Sequence, residues 1–342
     1  MINRPSAGLQ VDPLLDELRG GKPLAIARAI TAIENGTPLG TEVARATRPF
    51  AGRSWTLGVT GPPGAGKSSL INALIAEFAT RRRKIGVLTV DPSSPLSGGA
   101  LLGDRVRMAK HSSNPQVFIR SLAARGHLGG VTRMTAEIMG VLDAAGVDLT
   151  IVETVGTGQS EVDVADLVRV KLVVCPPGLG DDMQAIKAGV LEIADLLVVN
   201  KADLPGAEQT AMQLRAMLHH GGSGDRRSVM LTDAVAGSGV SELADAIEQR
   251  FRQPPASDPR RRDRRTSRAR RSLASRAASW VRDGVLDSLD PRIEQICLEI
   301  EAEGTPRRDA LRRVLSTLLD GEDGGLMPGP TPLGRGGTDH EP

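Results

Sequence analysis

Aromatic residues are scarce in this sequence of 342 residues, which has no tyrosine, four phenylalanines and two tryptophans. A core with so few rings must be built from Val, Leu, Ile and Ala, which suits a parallel sheet covered by helices. The scarcity also argues against a surface for single-stranded nucleic acid, because such surfaces stack bases on aromatic side chains. The formal net charge is only +2, so there is no general attraction to polyanions. We therefore expect no nucleic-acid partner.

Cysteine is equally rare, since Cys175 and Cys297 are the only two and lie far apart in the chain. Neither belongs to a metal-binding spacing and each sits in an apolar run, so we expect two buried, reduced thiols. No apolar run approaches the length of a membrane span, and the residues after Met1 lack the apolar region of a signal peptide. The expectation is a cytoplasmic protein that does not bind a membrane.

Composition and periodicity divide the chain into four segments. Residues 1–53 show helical periodicity and are predicted to form a helical N-terminal extension packed on the main domain. Residues 54–252 alternate apolar runs with helical patterns, which is typical of an α/β domain with a largely parallel sheet flanked by helices. Residues 253–320 are interpreted as a basic linker and a helical C-terminal or dimerisation extension, and residues 321–342 as a disordered tail. The arginines of 260–271 are taken as an exposed linker rather than a nucleic-acid tail, because no aromatic residues are interleaved.

The strongest signal is a stretch between a predicted strand and a predicted helix. It matches G-x-x-x-x-G-K-[ST], the phosphate loop of nucleoside triphosphatases. Glycines let the backbone curl so that N–H groups point at phosphate oxygens, and the following helix adds the positive end of its dipole. Lys67 is predicted to neutralise the β- and γ-phosphates during catalysis, and the Ser68 hydroxyl to bind Mg²⁺. An ordinary Gly/Pro turn is the alternative. The predicted phosphate-binding residues are Gly61, Pro62, Pro63, Gly64, Ala65, Gly66, Lys67, Ser68 and Ser69.

A second motif, N-K-x-D, follows a later predicted strand. It consists of Asn200, Lys201 and Asp203. A carboxylate at Asp203 can accept hydrogen bonds from the ring N–H and the amine of guanine, a donor pair that adenine lacks. Asn200 is predicted to brace the loop, and the stem of Lys201 to lie over the base. Because the motif follows a phosphate loop and a strand end, it indicates GTP rather than ATP.

A weaker signal lies after the last predicted strand, at Thr232, Asp233 and Ala234. GTP-binding proteins usually carry Ser-Ala or Cys-Ala here, and a backbone N–H meets the carbonyl oxygen of guanine. Asp233 departs from that pattern, whereas the N–H of Ala234 can still serve. An ordinary loop before the last helix is the alternative.

Carboxylates near two other strand ends are candidates for the Mg²⁺ shell and for hydrolysis. Asp91 and Glu153 each end a predicted strand, and Asp104 is a further candidate metal ligand. Glu153 precedes Gly156 by the spacing of the Asp-x-x-Gly motif of GTPases, and the N–H of Gly156 can meet the γ-phosphate. Either Gln159 or Glu153 is predicted to position the attacking water.

Together these motifs resemble the MeaB/ArgK/MMAA family of P-loop GTPases over roughly residues 24–250. The resemblance implies a homodimeric GTPase that chaperones an adenosylcobalamin-dependent acyl-CoA mutase, chiefly methylmalonyl-CoA mutase. It would gate cofactor loading and protect or reactivate the mutase, and it would meet adenosylcobalamin only through that partner. The resemblance also implies a mobile switch at 177–187. The motifs that carry it lie at 90–94, 97–105, 129–131, 152–161 and 200–204.

Three other functions are open alternatives at this point. A kinase of a transport protein would need a phosphoacceptor site, for which the sequence has no dedicated motif. A nucleotide-regulated binding module would show negligible turnover. A metallochaperone-type GTPase is disfavoured, because two distant cysteines do not make a metal motif.

Overall fold

The structure is a computed structural model that describes most of the chain, with gaps between the described ranges. The chain forms two compact units, residues Met1–Arg268 and Ala269–Pro342. The described residues are 8–91, 111, 114–123, 128–154, 167–178, 194–219, 228–253, 274, 277–278, 281, 284–285, 290–301 and 307–322.

Three helices and a short 3₁₀ turn precede the sheet in the first unit. They are α1 (Gly8–Arg19), α2 (Pro23–Glu34), α3 (Pro38–Thr47) and the turn Arg48–Phe50. Proline stands at the first turn of α2 and of α3, where its missing N–H costs nothing. The Thr37 hydroxyl caps α3 by accepting from the N–H of Gly40 at 3.1 Å. The periodicity at 12–18 and 24–34 predicts the first two helices, whereas the short α3 was not predicted.

The described residues of the first unit form a seven-stranded sheet. Its order is β3-β2-β4-β1-β5-β6-β7, and each of the neighbouring pairs is parallel. This confirms the predicted α/β class with a parallel sheet. The strands are β1 (Trp55–Thr60), β2 (Ile85–Asp91), β3 (Val117–Ala123), β4 (Leu149–Thr154), β5 (Val170–Cys175), β6 (Leu196–Asn200) and β7 (Ser228–Thr232). The helices between them are α4 (Lys67–Thr80), α5 (Leu128–Ala144), α6 (Ala207–His219) and α7 (Val240–Arg252).

Helices pack on both faces of the sheet, and its central strands β1, β4, β5 and β6 are almost fully buried. One face packs against α4 and α7, where Phe78 and Ile247 are fully buried. The other face packs against α5 and the N-terminal helices around Leu88 and Ile30, with α6 covering β5 and β6. The N-terminal helices therefore pack on this face of the sheet. The polar ends of the strands are left as the place where ligands can bind.

The second unit contains a pair of helices, α8 (Pro291–Glu301) and α9 (Arg307–Glu322). Ile296, Ala310 and Val314 form its buried cluster. Residues 260–271 and 321–342 lie outside the described residues, apart from Gly321 and Glu322 at the end of α9. Among the residues described here, no helix has the length and apolar character needed to cross a membrane.

The two cysteines differ in their surroundings. Cys175 ends β5 and is fully buried, and burial raises the pKa of its thiol to about 12. Cys297 is exposed, so the prediction that both thiols are buried is wrong for this residue. The reason is the narrow apolar stripe of α8, which buries Ile293 and Ile296 and turns the next residue outward.

Candidate functional site

The predicted phosphate loop connects the end of β1 to the start of α4. α4 begins at Lys67, and Gly66 precedes it with φ +83°. No side-chain hydrogen bond caps this helix, so its first amides and the positive end of its dipole face the loop. The local structure is therefore the anion-binding arrangement that the sequence pattern predicts.

Three glycines of the loop have positive φ for different reasons. A Cβ on Gly61 would lie 2.1 Å from the carbonyl oxygen of Val174, so β5 leaves it no room. A Cβ on Gly66 would lie 2.3 Å from Asn200 Nδ2. A Cβ on Gly64 would meet nothing within 4 Å, although its φ of +78° still disfavours an L side chain. Two of the glycines are thus required by neighbouring protein atoms.

Lys67 lies inside the loop that it follows. Its side chain is buried, and its ammonium group donates to the carbonyl oxygens of Gly61 at 2.9 Å and of Pro62 at 3.1 Å. These bonds hold a positive charge within the curl of the loop, which is where a phosphate charge needs one.

Ser68 at the start of α4 and Glu153 near the end of β4 are in direct contact. The Ser68 hydroxyl donates to Glu153 Oε1 at 2.9 Å, and Glu153 is buried. β4 pairs with both β1 and β2, so Glu153 lies beside Val59 and Thr89 at the end of the sheet that carries the loop. A hydroxyl and a carboxylate are hard oxygen donors of the kind that Mg²⁺ prefers, and Mg²⁺ usually takes only one or two carboxylates from the protein.

The remaining predicted metal and hydrolysis residues are only partly described. Asp91 ends β2, which pairs with β4, so its backbone lies at the same end of the sheet as Glu153. Asp104, Gly156 and Gln159 lie outside the described residues, as does most of 177–187. Within the described part of the chain, no group of three His, Cys, Asp or Glu side chains could hold a metal ion.

Asn200 is the centre of the hydrogen bonds between the two predicted nucleotide motifs. Its Nδ2 donates to the carbonyl oxygens of Ala65 at 3.1 Å and Gly66 at 3.3 Å. Its Oδ1 accepts from Thr232 Oγ1 and from the N–H of Ala234, each at 3.2 Å. The carboxamide thus uses two donors and two acceptor sites, and the residue is 1% exposed. These bonds tie the end of β6 to the phosphate loop and to the loop after β7, and the role of Asn200 toward a nucleotide stays a prediction.

The two other residues of this motif follow β6 directly and differ in exposure, since Lys201 is partly buried and Asp203 is exposed. Lys201 has a left-handed φ of +60°, and its Cε lies 3.8 Å from where a Cβ of Gly66 would be. The stem of Lys201 therefore lies beside the phosphate loop. Asp203 is exposed in the turn that follows β6, so its carboxylate is accessible to a base.

The loop after β7 is held by its own aspartate. Asp233 Oδ1 accepts from the N–H groups of Val235 at 2.9 Å and Ala236 at 3.0 Å, while its own N–H donates to the carbonyl of Ser238 at 3.0 Å. The departure at Asp233 therefore has a structural reason, because the carboxylate closes this turn. Contact of Thr232, Asp233 and Ala234 with a nucleotide stays a prediction.

A contribution that the sequence reading missed comes from Gly239, which follows the same turn. Its φ is +73°, and a Cβ there would lie 2.3 Å from the carbonyl oxygen of Leu231. The sequence signal was present, because Gly237 and Gly239 flank Ser238 just before α7. Gly239 lets the loop after β7 return close to that strand.

A parallel α/β sheet with this loop between β1 and α4, and with N-K-x-D at the end of β6, defines the class as a P-loop GTPase. The chain belongs to the family described as methylmalonyl Co-A mutase-associated GTPase MeaB, which it matches over residues 26–289. This confirms the family resemblance.

Individual relatives agree with this assignment. A putative GTPase of Pyrococcus abyssi is 46% identical over 244 residues, covering 70% of this chain and 75% of that protein. A probable GTPase of Mycobacterium bovis is 38% identical over 309 residues, covering 85% and 89%. A solved structure titled LAO/AO transport system kinase is 27% identical, with a TM-score of 0.64 over 93% of this chain and 99% of that one.

Proposed function

We propose that this GTPase is Mg²⁺-dependent and chaperones an adenosylcobalamin-dependent acyl-CoA mutase. The expected client is methylmalonyl-CoA mutase, and the expected roles are to gate cofactor loading and to protect or reactivate the mutase. The observation that carries the proposal is the family match over residues 26–289, a family described as mutase-associated. Adenosylcobalamin belongs to the partner in this proposal, whereas GTP and Mg²⁺ bind to this chain.

The described residues support a division of roles at the nucleotide. N–H groups of the loop and of the start of α4 hold the phosphates, and Lys67 supplies positive charge. Ser68 and Glu153 provide oxygen ligands for Mg²⁺, with Asp91 and Asp104 as further predicted ligands. When bound by these residues, Mg²⁺ would supply positive charge to the phosphate oxygens. The water is positioned by Glu153 or Gln159.

The guanine end is assigned to the N-K-x-D motif. Asp203 is exposed and can accept from the donor pair of guanine, while Lys201 lies alongside the loop and covers the base with its stem. Asn200 is saturated by protein partners, so in this arrangement it orients the loops and leaves the base to its neighbours.

A homodimer is the second part of the proposal, with another copy of this chain on the α8–α9 pair. That pair buries a small cluster but leaves Leu298, Leu311 and Leu319 more than half exposed. These exposed leucines, on a two-helix element with so small a buried cluster, are the residues that we expect a second copy to cover. A mass of two chains by light scattering is the expected result, and a monomer at micromolar concentration would contradict it.

The fate of labelled phosphate tests the main proposal. GTP labelled at the γ-phosphate is incubated with Mg²⁺ and with or without purified methylmalonyl-CoA mutase, and free phosphate is measured. We expect slow release that rises when the mutase is added and disappears with EDTA. Lys67→Ala is the control, because it removes the charge held in the loop. A rate that the mutase leaves unchanged would contradict the chaperone role.

The same experiment separates the alternative that the solved relative's title suggests for that protein. A kinase would transfer the label to an acceptor protein instead of releasing it. Labelled protein in place of free phosphate would therefore support the kinase alternative.

A further inference from the structure

We propose that Thr232 is a positioning residue that controls phosphate binding from the guanine side of the site, by fixing the carboxamide of Asn200. This inference rests on the proposed nucleotide site. It assigns Thr232 a role in affinity for the phosphate chain, with no contact to the base. The path is short: Thr232 holds Asn200, and Asn200 holds the backbone of the phosphate loop.

The first step is the orientation of Asn200. Its Oδ1 has two partners, the Thr232 hydroxyl and the N–H of Ala234, both at 3.2 Å. A side-chain amide can rotate by 180° and exchange its oxygen and nitrogen unless its partners distinguish them. The N–H of Ala234 fits the oxygen alone, and the carbonyl oxygens of Ala65 and Gly66 fit the nitrogen alone. The Thr232 hydroxyl can donate or accept, so its part is to hold Oδ1 with a second hydrogen bond. Without the hydroxyl, Oδ1 keeps one of its two hydrogen bonds and the carboxamide is held less firmly.

The second step is the effect on the phosphate loop. Asn200 Nδ2 donates to the carbonyl oxygens of Ala65 and Gly66. In a trans peptide the N–H points opposite to the C=O. Holding these two carbonyls therefore aims the next N–H groups, those of Gly66 and Lys67, away from Asn200. Those amides belong to the turn that leads into α4, where a phosphate is expected.

The third step is the tight, buried packing of Thr232, Asn200 and Gly66. Thr232 and Asn200 are each 1% exposed, so water does not replace a lost partner freely. Gly66 approaches Asn200 so closely that a Cβ would lie 2.3 Å from Nδ2. A change in the amide is therefore transmitted to the loop backbone.

The test uses a probe without a base. Binding of Mg²⁺–GTP and of inorganic tripolyphosphate is measured by displacement of a fluorescent GTP analogue from the full chain. We expect Thr232→Val to weaken both ligands by the same factor, about three- to tenfold. Thr232→Ser keeps the hydroxyl and is expected to restore both affinities to within about twofold of wild type. Thr47→Val is the matched control, since Thr47 is also 1% exposed but bonds within α3.

Each outcome decides the matter. Equal weakening of both ligands with rescue by Ser supports the inference. Unchanged tripolyphosphate affinity in Thr232→Val overturns it, and weakening of GTP alone would mean that Thr232 acts on the base. A wild-type chain that binds tripolyphosphate but not GTP would refute the proposed function instead, and the tripolyphosphate affinities of wild type and Thr232→Val would then be compared directly by isothermal titration calorimetry.

A second variant covers the case in which Thr232→Val fails to fold. Asp233→Ala removes the acceptor that holds the N–H groups of Val235 and Ala236, and so loosens the turn that carries the N–H of Ala234. The expected result is again a parallel loss of affinity for GTP and tripolyphosphate. Normal tripolyphosphate binding in this variant would contradict the proposed positioning of Asn200 by the loop after β7.

Discussion

At the scale of single residues, two glycines of the phosphate loop are so close to neighbouring protein atoms that no larger residue fits in their place. Gly61 meets the backbone of Val174, and Gly66 meets the side chain of Asn200. The motif spacing predicts both glycines from their expected role toward phosphate. The structure adds that each also fits a neighbouring protein atom, so their replacement is expected to disturb the loop before any ligand arrives.

The two cysteines provide a residue-scale prediction. The thiolate is the nucleophile, and a pKa of about 12 keeps Cys175 protonated at neutral pH behind full burial. Cys297 is exposed. Iodoacetamide at pH 7 should therefore modify one cysteine of the folded protein, located on α8 by peptide mass spectrometry. The second should react only after denaturation.

Because the pKa of Cys175 is raised, its reactivity grows only as the pH approaches that value. The control is Cys297→Ser, which should abolish the labelling of the folded protein. Rapid modification of Cys175 in the native state would show that β5 opens readily at the end that faces the phosphate loop.

At the scale of elements, α4 links the phosphate loop to the opposite end of the sheet. Arg81 follows its last turn and donates to Asp245 on α7 at 2.7 Å, which fastens this end of α4 to α7. Arg81 also donates to Glu77 on α4 itself, at 2.8 and 3.1 Å. The helix then ends with Arg82 in a left-handed conformation, φ +59°. The N–H groups of Arg82 and Arg83 close this end on Ala79 and Phe78. Glycine is the usual residue at such a position.

Replacement of this arginine gives an element-scale prediction. Arg82→Gly should raise the free energy of unfolding by about 0.5–1 kcal/mol, because relief of left-handed strain outweighs the added freedom of the unfolded chain. Arg82 is exposed, so little packing is lost. Urea denaturation measures the change. Arg82→Ala keeps the strain and should give no gain, and an equal gain in both variants would contradict the argument.

Elements with continuous apolar runs could be predicted from the sequence, whereas features set by the chain's own turns could not. β5 and β6 are largely buried, and each contains a run of four apolar residues, Leu172–Cys175 and Leu196–Val199, that marks it in the sequence. The phosphate loop and Asn200 follow from motif spacing. The role of Asp233 does not, because a carboxylate in a loop looks the same whether it meets a ligand or the next two N–H groups. α3 was missed because its ten residues bury only Gly40, Val43 and Thr47.

At the scale of the whole molecule, the N-terminal helices belong to the same unit as the nucleotide site. They share a buried cluster with β2 and α5 around Ile30, Leu88 and Leu142. Arg120 on β3 also donates to Glu34 on α2. The extension predicted at 1–53 therefore packs on β2 and β4. The predicted metal ligands Asp91 and Glu153 lie at the C-terminal ends of these two strands. We infer that loss of this packing would destabilise the whole first unit.

Asp143 provides the test, because it fastens the start of β1 to the end of α5. Its carboxylate is buried and accepts from the N–H of Gly52 at 2.6 Å and of Ser54 at 3.0 Å. Asp143→Ala leaves the buried N–H of Ser54 and the partly buried N–H of Gly52 without this acceptor and should lower the free energy of unfolding by about 2 kcal/mol. The measurement is urea denaturation followed by circular dichroism.

Asp148 is the matched control, because its carboxylate also accepts a backbone N–H, that of Lys84 at 2.8 Å, but is exposed. Water can replace that bond, so Asp148→Ala should cost about 1 kcal/mol or less. If the N-terminal helices and the sheet unfold together, Asp143→Ala shifts one transition without splitting it. Two separate transitions, with nucleotide affinity retained after the first, would show that the nucleotide site does not depend on the extension.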